Sequence, residues 1–336
     1  MAGGQERVLR RRIKSVQSTK KITKAMELIA ASRIAKAQER VVAARPYAER
    51  ITQVIRNLAA AGAGGDSPLL HQREHVESVA YVVVTADRGL AGGYNSTVIR
   101  LAERALLADR AEGRTTHLIT VGKKAHGYFR FRGYEIDASF AGFSESPTYE
   151  DAREVARHVN ERFESGEYHE VKLAYTQFLS MGSQTARLVP YMPLDTSSIT
   201  DTGQSGPTAG YEFEPEPGEI LDRLLPRYAE ARLFAALLDA AASEQAARQR
   251  AMKSATENAQ DMIVRLARVM NRARQDSITT EIMEIVGGAE ALRQAGGANE
   301  DLIVDEVFAS DPFLHEQFHV STHHHHPHHT PAGEQT

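Results

Sequence analysis

The chain has 336 residues and a formal net charge of −4, from 40 lysines and arginines against 44 aspartates and glutamates. It contains no cysteine, which excludes disulfide bonds and thiolate metal sites. No apolar run approaches the roughly 18 residues that a membrane-spanning helix requires, so we expect no span. The length leaves room for one ordinary domain and an extended part.

The first predicted element is a long helix from about Glu6 to Leu58. Its second half carries apolar residues at steps of four and three, namely Ala30, Ile34, Ala37, Val41, Ala44, Ala48, Ile51, Ile55 and Leu58. This spacing keeps one seam of the helix apolar and predicts a partner helix. Pro46 lies inside the helix, and because the seam keeps its phase on both sides we predict a bend there instead of a stop.

This helix is strongly basic, with thirteen lysines and arginines against three glutamates between Arg7 and Arg50. Such a face can bind nucleic acid through phosphates, face an acidic partner protein or simply be solvated. Against nucleic acid, no aromatic residues are interleaved with the basic ones, and the whole chain is slightly acidic.

The middle third of the chain alternates between short β-branched runs and helical patterns. The predicted strands are Val79–Thr85, His117–Val121 and Val171–Phe178, and the predicted helices are about Ser96–Asp109, Lys123–Arg130 and Tyr149–Glu164. This alternation predicts βαβ units and a mostly parallel sheet covered by helices.

Glycines after the strands do not complete a phosphate-binding motif. Gly122-Lys123-Lys124 lacks both the earlier glycine and the following Ser or Thr of a P-loop, and Ala91 and Tyr94 break a dinucleotide-binding pattern. A tight strand-to-helix turn is the simpler explanation for these glycines. No Ser/His/Asp set or carboxylate pair stands out. We therefore predict no catalytic residue, no cofactor and no metal site.

A second long helix is predicted from Glu219 to about Leu292. Its seam positions are Phe234, Leu238, Ala241, Gln245, Arg248, Met252, Ala255, Ala259, Met262, Leu266, Val269 and Ala273. If both long helices leave one compact domain they lie antiparallel, and pairing Leu58 with about Leu225 places Glu6 opposite about residue 277. The apolar stripe beyond Ile278 then has no partner in its own chain, which is typical of an interaction surface.

Four segments in the same order resemble the gamma subunit of F-type ATP synthases. They are the run Arg12–Ala30, the motif Thr85-Ala86-Asp87-Arg88-Gly89-Leu90-Ala91-Gly92-Gly93-Tyr94-Asn95, the run Ser243–Arg248 and the run Ile278–Ala289. The resemblance covers about residues 5 to 292. Several separate motifs at the right spacing make this match more specific than any one of them.

The resemblance implies an antiparallel coiled coil with a Rossmann-like α/β domain inserted between its two helices. It implies the central rotor shaft of a proton-translocating ATP synthase, present once per complex. The implied partners are the alpha and beta subunits, the epsilon subunit and the membrane c-ring, with no nucleic acid. Chemistry would occur in the alpha/beta ring, so the chain would have no active site of its own. Two alternatives stay open from the residues alone: a nucleotide-binding enzyme, and a nucleic-acid-binding or scaffold coiled-coil protein.

Contact residues are carried over from the resemblance. Those expected to face the beta subunit are Lys24, Met26, Arg248, Arg274, Gln275, Thr279 and Glu281. Those expected to form a tip held in the bearing of the ring are Ile278, Ile282 and Ile285. Those expected to lie against the c-ring and the epsilon subunit are Tyr211, Phe213 and Glu214. A solvated helix face, or a plain turn for the last set, is the alternative for each.

The predicted organisation has four parts: a coiled-coil helix at 1–60, the α/β domain at 70–217, a second coiled-coil helix at 218–292 and a tail at 293–336. The tail contains the cluster His323–His329, which binds transition metals weakly in vitro, and we expect it to be disordered. We expect a peripheral protein at the cytoplasmic face of the cell membrane. A bacterial source is expected because no transit peptide is recognised and the chain is rich in alanine and arginine.

Overall fold

The fold is given by a computed structural model, which describes residues 2–60, 67–70, 72–194 and 214–295. Among these, residues 11–267 form one compact unit, and residues 2–10 with 268–295 belong to a second. The domain boundaries predicted from the sequence, at residues 60, 70 and 217, are not tested by this division and stay a prediction.

Eleven elements follow one another along the described chain. In order they are α1 (Ala2–Ala60), a short 3-10 helix (Pro68–Leu70), β1 (Ser78–Val84), α2 (Tyr94–Ala111), β2 (Thr115–Val121), α3 (Lys123–Phe131), β3 (Ala138–Phe140), α4 (Tyr149–Glu164), β4 (Glu170–Phe178), β5 (Gln184–Met192) and α5 (Pro217–Ala295). The predicted α/β fold between two long helices is confirmed. Pro46 lies within α1 without ending it, as predicted.

The five strands form one sheet in the order β3-β2-β1-β4-β5. The first four are parallel, and β5 pairs antiparallel with β4. All seven residues of the central strand β1 are buried, which explains its continuous apolar run. Strands β3 and β5 were not predicted, because β3 has only three residues and β5 contains Pro190 and alternates polar with apolar residues at the sheet edge.

The sheet separates two apolar cores, and alternate residues of β1 belong to different ones because successive side chains point to opposite faces. One core lies between the sheet and the helices α2 and α3. The other is shared by the sheet, α4 and both long helices; it includes Ile55 and Leu58 of α1 and Leu221, Leu225 and Leu233 of α5. The long helices are therefore built into the core of the α/β domain.

Within residues 11–267, α1 and α5 run antiparallel. The hydroxyl oxygens of Thr23 and Thr256 lie 2.7 Å apart, and Lys20 Nζ donates to Gln260 Oε1 at 2.6 Å. The predicted pairing placed Thr23 opposite about residue 260, so the observed register differs from it by about one helical turn. A slide of one turn keeps an apolar seam in phase, whereas these two polar contacts form in one register only.

The seam predicted for α1 is confirmed, since Ala30, Ile34, Ala37, Ile51, Ile55 and Leu58 are buried. On α5 the prediction is wrong at two positions. Met262 and Val269 are exposed, and the adjacent Ile263 and Met270 are half-buried in their place. A straight helix drifts by about 20° per heptad against a 3.5-residue repeat, and both members of each adjacent pair are apolar. The pattern by itself could not choose between them.

Gly122 joins β2 to α3 at φ 95° and ψ 141°, a conformation that is essentially restricted to glycine. A β-carbon there would overlap the carbonyl group of Thr85, whose carbon would lie 2.7 Å away. Gly133 also has a positive φ of 77°, but no heavy atom lies within 4 Å of its β-carbon position.

These two glycines make a matched pair for unfolding measurements. We expect Gly122→Ala to lower the free energy of unfolding by about 3 kcal/mol or more, because steric overlap adds to backbone strain. Gly133→Ala should cost only about 1 kcal/mol, from backbone strain alone. Urea denaturation of both variants checks this, and equal losses would contradict the close approach of Gly122 to Thr85.

Candidate functional site

Two of the sequence motifs meet in the fold, although they are almost 150 positions apart in the chain. The Tyr94 hydroxyl donates to the Ala240 carbonyl at 3.1 Å, and Nη2 of Arg248 lies 3.5 Å from the Gly89 carbonyl oxygen. The Ser243 hydroxyl donates to the Thr176 carbonyl of β4 at 3.1 Å. Three segments come together here: the loop after β1, the loop between β3 and α4, and residues 240–251 of α5. We call this region the junction.

Glu145, in the loop between β3 and α4, faces arginines from three different elements. Its carboxylate pairs with Arg33 of α1, lies 3.6 Å from Nη1 of Arg248 on α5 and lies 3.9 Å from Arg88 in the loop after β1. The next residue adds a contact, because Arg40 of α1 donates to the Ser146 hydroxyl. One loop of the α/β domain thereby holds both long helices.

The centre of the junction is buried and charged. Glu244 and Arg248 form a 2.5 Å ion pair one helical turn apart on α5, and both are buried. Burial raises the pKa of the Glu244 carboxyl, although Arg248 acts in the opposite direction. Burial also raises the pKa of the Tyr94 hydroxyl well above its usual value, so Tyr94 remains a neutral hydrogen-bond donor at physiological pH.

A carboxylate of the chain itself occupies the edge of the sheet where a Rossmann-like domain binds ligands. Asp87 Oδ1 accepts from the backbone N–H of Lys123, the first residue of α3, at 3.1 Å. Its Oδ2 accepts from the backbone N–H groups of Gly142 at 2.8 Å and Ser144 at 3.1 Å. A bound phosphate would need such helix N-terminal donors, and the negative charge of Asp87 would repel it. The geometry thus disfavours a nucleotide site after β1 and β2.

Three metal-ligating side chains lie close together at the opposite end of β2. Ligand atoms of His117, Asp137 and Glu167 lie within 4.8 Å of one another. However, His117 Nδ1 and Asp137 Oδ2 hydrogen-bond directly at 2.6 Å, and Arg162 Nε lies 3.4 Å from Glu167. Each of the three groups therefore already faces a partner of its own chain: the His117–Asp137 hydrogen bond joins β2 to the segment before β3, and Glu167 faces Arg162 of α4.

The structure brings together two of the residues expected to face the beta subunit. Met26 is half-buried and lines a cleft that Arg248 also lines. Arg248 forms ion pairs with Glu145 and Glu244 of its own chain, so we do not include it among the proposed contacts to the beta subunit. Lys24 is exposed and pairs with Glu27 at 3.1 Å, one turn away on α1.

The other expected beta-subunit contacts lie on α5 after residue 267. Arg274, Gln275, Thr279 and Glu281 are all exposed. The Thr279 hydroxyl donates to the Gln275 carbonyl at 2.9 Å, and Glu281 accepts from the Ser277 hydroxyl at 3.2 Å. These interactions are local to α5 and leave the outward-facing groups of Arg274 and Gln275 in solvent.

The three isoleucines expected at a bearing are exposed to an extent that rises toward the end of the helix. The exposed fraction is 45% for Ile278, 54% for Ile282 and 71% for Ile285. Glu214 is exposed just before α5. Tyr211 and Phe213 lie outside the described residues, as does most of the tail, although α5 extends to Ala295.

Comparison with known proteins identifies the family. A family model described as ATP synthase matches residues 5–292. The ATP synthase gamma chain of Frankia casuarinae is 53% identical over 293 residues, which cover 86% of this chain and 98% of that protein. The chain belongs to the ATP synthase gamma chain family. The gamma chain of Mycolicibacterium vanbaalenii is 50% identical over 304 residues, covering 86% of this chain and 98% of that protein.

Solved structures share the fold. A chain of the Euglena gracilis mitochondrial ATP synthase, from an assembly described as OSCP, F1 and c-ring, has a TM-score of 0.62 at 18% identity and covers 89% of this chain and 98% of its own length. A chain described as part of the rotor of the same enzyme has a TM-score of 0.58 at 17% identity, with coverages of 82% and 99%. The family and the fold predicted from the motifs are confirmed.

No helix in the described part of the chain combines the length and apolar character that a bilayer span needs.

Sequence reasoning did not find Glu145, Arg33 or the capping role of Asp87. Asp87 stands inside a recognised motif, and its position directly after a buried strand was an available signal for a loop-organising carboxylate. Glu145 lies in a polar loop with no periodicity, and Arg33 is one of many arginines on a basic helix. Only the fold shows that these two side chains meet.

The structural role of Glu145 predicts a specific loss of stability. Glu145→Gln keeps the shape of the side chain but removes the charge that faces Arg248, which is buried. We expect the free energy of unfolding to fall by about 1–3 kcal/mol. Glu150→Gln is the control, because Glu150 pairs with Arg153 at the surface and its loss should cost less than about 0.5 kcal/mol. Urea denaturation of the full chain measures both, and similar losses would contradict the proposed role of the junction.

Proposed function

We propose that the chain is the central shaft of a bacterial F-type ATP synthase and couples rotation of the membrane c-ring to the conformational cycle of the catalytic beta subunits. One observation carries this proposal beyond family membership: the sheet and both long helices share a single core, and one ion-pair network centred on Glu145 and Arg248 contacts both helices. A shaft needs such a connection, because torque applied to the α/β domain must reach the helices without loss.

The junction is suited to transmit torque for a physical reason. Protein interiors are close-packed, have low compressibility and transmit strain. A twist of the sheet acts on α1 through Ile55 and Leu58 and through Arg33, and on α5 through Leu225 and Arg248. Slippage of α5 would have to break apolar contacts and buried charge contacts at the same time, and slippage of α1 would have to break apolar contacts and the partly exposed pairing of Arg33 with Glu145.

The helices would then act on the beta subunits by differential contact. A rotating partner favours whichever conformer it binds best, and it can shift an equilibrium only by that difference in binding free energy. We propose that Lys24 and Met26 on α1, together with Arg274, Gln275, Thr279 and Glu281 on α5, supply these contacts. Their exposure supports this assignment, except that Met26 is only partly exposed.

Partners and location follow from the same proposal. The partners are the alpha and beta subunits, the epsilon subunit and the c-ring, with one copy of the chain per complex. Glu214, with Tyr211 and Phe213, would face the c-ring and the epsilon subunit. The assemblies that hold chains of similar fold are described as a rotor and as F1 with a c-ring, which supports these partners. The chain would lie at the cytoplasmic face of the membrane as a peripheral protein.

The decisive test is ATP hydrolysis by a reconstituted alpha/beta ring, with and without this chain, alongside the chain alone. Sustained turnover that requires the chain is the expected result, because a shaft sequences the catalytic sites and carries none itself. Turnover by the chain alone would favour the enzyme alternative. A ring that is indifferent to the chain would contradict the shaft role.

We propose that the apolar stripe of Ile278, Ile282 and Ile285 binds the alpha/beta ring, and this is tested by placing a charge either in the stripe or on the opposite side of the helix. Ile282→Asp puts a carboxylate in the exposed apolar stripe, and Thr280→Asp puts one about 200° away around the same helix. We expect Ile282→Asp to weaken assembly with the alpha/beta ring about tenfold or more, since it removes the burial of one isoleucine and adds a buried charge. Thr280→Asp should change it little. Binding titrations with the ring measure both, and equal affinities would rule out the stripe as the bearing surface.

A further inference from the structure

The last turns of α5 carry an apolar stripe that is exposed along its whole length. At about 100° per residue, its members fall within about 80° of the helix surface; they are Ile278, Ile282, Ile285, Ala289 and Leu292. The exposed fraction is 45% for Ile278 at one end and 76% for Leu292 at the other. A contiguous apolar surface of this kind is typical of an interaction site, so we looked for the segment that covers it.

The part of the chain that follows α5 has a composition suited to this stripe. α5 ends at Ala295. Residues 300–320, which we call the acidic-apolar segment, contain six carboxylates and no lysine or arginine. They also contain nine large apolar residues, namely Leu302, Ile303, Val304, Val307, Phe308, Phe313, Leu314, Phe318 and Val320. No large apolar residue follows Val320, so this segment differs from the His-rich end of the tail, whose composition predicts disorder.

The acidic-apolar segment is long enough to run back along α5. The distance from Ala295 back to Arg274 is about 32 Å along the helix axis, whereas residues 296–320 span about 37 Å as a helix and more when extended. Gly296 and Gly297 stand where the chain would reverse, and glycine adopts the backbone conformations that a tight turn needs. A tethered segment is present at an effective concentration of about millimolar, which favours it over a second copy of the chain.

The charge beside the stripe is complementary to this segment. Arg274 lies one turn before Ile278 on the same side of α5, is exposed, and makes no ion pair within the described chain. Among the nearby carboxylates, Asp276 and Glu284 point to the other side of the helix, and Glu281 lies about 60° around it from Ile278. An acidic segment that runs along the stripe therefore meets an unpaired guanidinium at its far end.

We propose that the acidic-apolar segment packs along the apolar stripe of α5 in the isolated chain. Its apolar side chains cover Ile278, Ile282 and Ile285, and a carboxylate pairs with Arg274. The cover prevents association through the stripe, and a partner that binds the stripe displaces it. The family model matches only to residue 292, so the cover is an addition to the shared fold. The proposal does not depend on the shaft role, because it concerns the isolated chain.

Thiol labelling of the full chain tests the cover, because the sequence contains no cysteine of its own. Ala289→Cys places one thiol in the stripe, and Thr280→Cys places one about 160–200° away on the same helix as a control. We expect a small maleimide to label the thiol at position 289 about tenfold more slowly than in a chain that also carries Phe308→Ser and Phe313→Ser, since labelling requires the segment to leave the stripe. The thiol at position 280 should react at the same rate in both backgrounds.

Two arginine variants test the charge contact in the Ala289→Cys background. Arg274→Gln removes the guanidinium beside the stripe, and we expect labelling to become about threefold faster or more. Arg272 is also exposed but lies about 120° around the helix from Ile278, so Arg272→Gln should leave the rate unchanged. The pair His324→Ser and His328→Ser, outside the acidic-apolar segment, should likewise have no effect.

Four outcomes would overturn the proposal. They are equal labelling at position 289 with and without the two phenylalanine substitutions, an equal slowing at position 280, equal effects of the two arginine variants, and protection that increases with chain concentration. The last result would assign the stripe to a second copy of the chain, and analytical ultracentrifugation would then show a dimer. Protection that is independent of concentration, with a monomer in the ultracentrifuge, is the expected result.

Discussion

The shared hydrophobic core between the sheet and the two long helices is the constraint on which the rest of the structure depends. Alternate residues of β1 face opposite sides of the sheet, and the side away from α2 and α3 is covered by α4 together with α1 and α5. Leu58 and Leu225 pack in this core, which brings the end of α1 and the start of α5 to one place. The antiparallel pairing of the helices follows from where they leave this core.

The buried charges at the junction add specificity to that core. Burying Glu244 and Arg248 carries a desolvation penalty that their mutual attraction only partly offsets, so the pair is weak evidence for stability. Its geometry, however, allows one alignment of α5 against the loops that carry Glu145 and Gly89. Asp87 acts similarly at the edge of the sheet, where its carboxylate accepts hydrogen bonds from the first N–H group of α3 and from two loop N–H groups. The same charges that organise the junction leave little room for nucleotide chemistry there.

Polar residues inside the helical seam set the register. Apolar seams tolerate a slide of one turn, because the side chains that meet after the slide are still apolar. The contact between Thr23 and Thr256 and the one between Lys20 and Gln260 form at one offset alone.

Local pattern determined much of this protein. The 4-3 spacing in α1, the β-branched run of β1 and four separate motifs were sufficient for the long helices, the central strands and the family, because each signal is carried by neighbouring residues. The exposure of the isoleucines after residue 277 could also be predicted, since their spacing forms an apolar stripe and the predicted pairing leaves no helix of the chain opposite it. The tertiary structure alone decided the register of the helices, the edge strands β3 and β5, and the meeting of Glu145 with Arg33 and Arg248. The register and the meeting of Glu145 with Arg33 and Arg248 depend on contacts between residues more than 100 positions apart, whereas the edge strands depend on pairing with their neighbours in the sheet. On α5, periodicity cannot tell apart neighbouring apolar residues such as Met262 and Ile263.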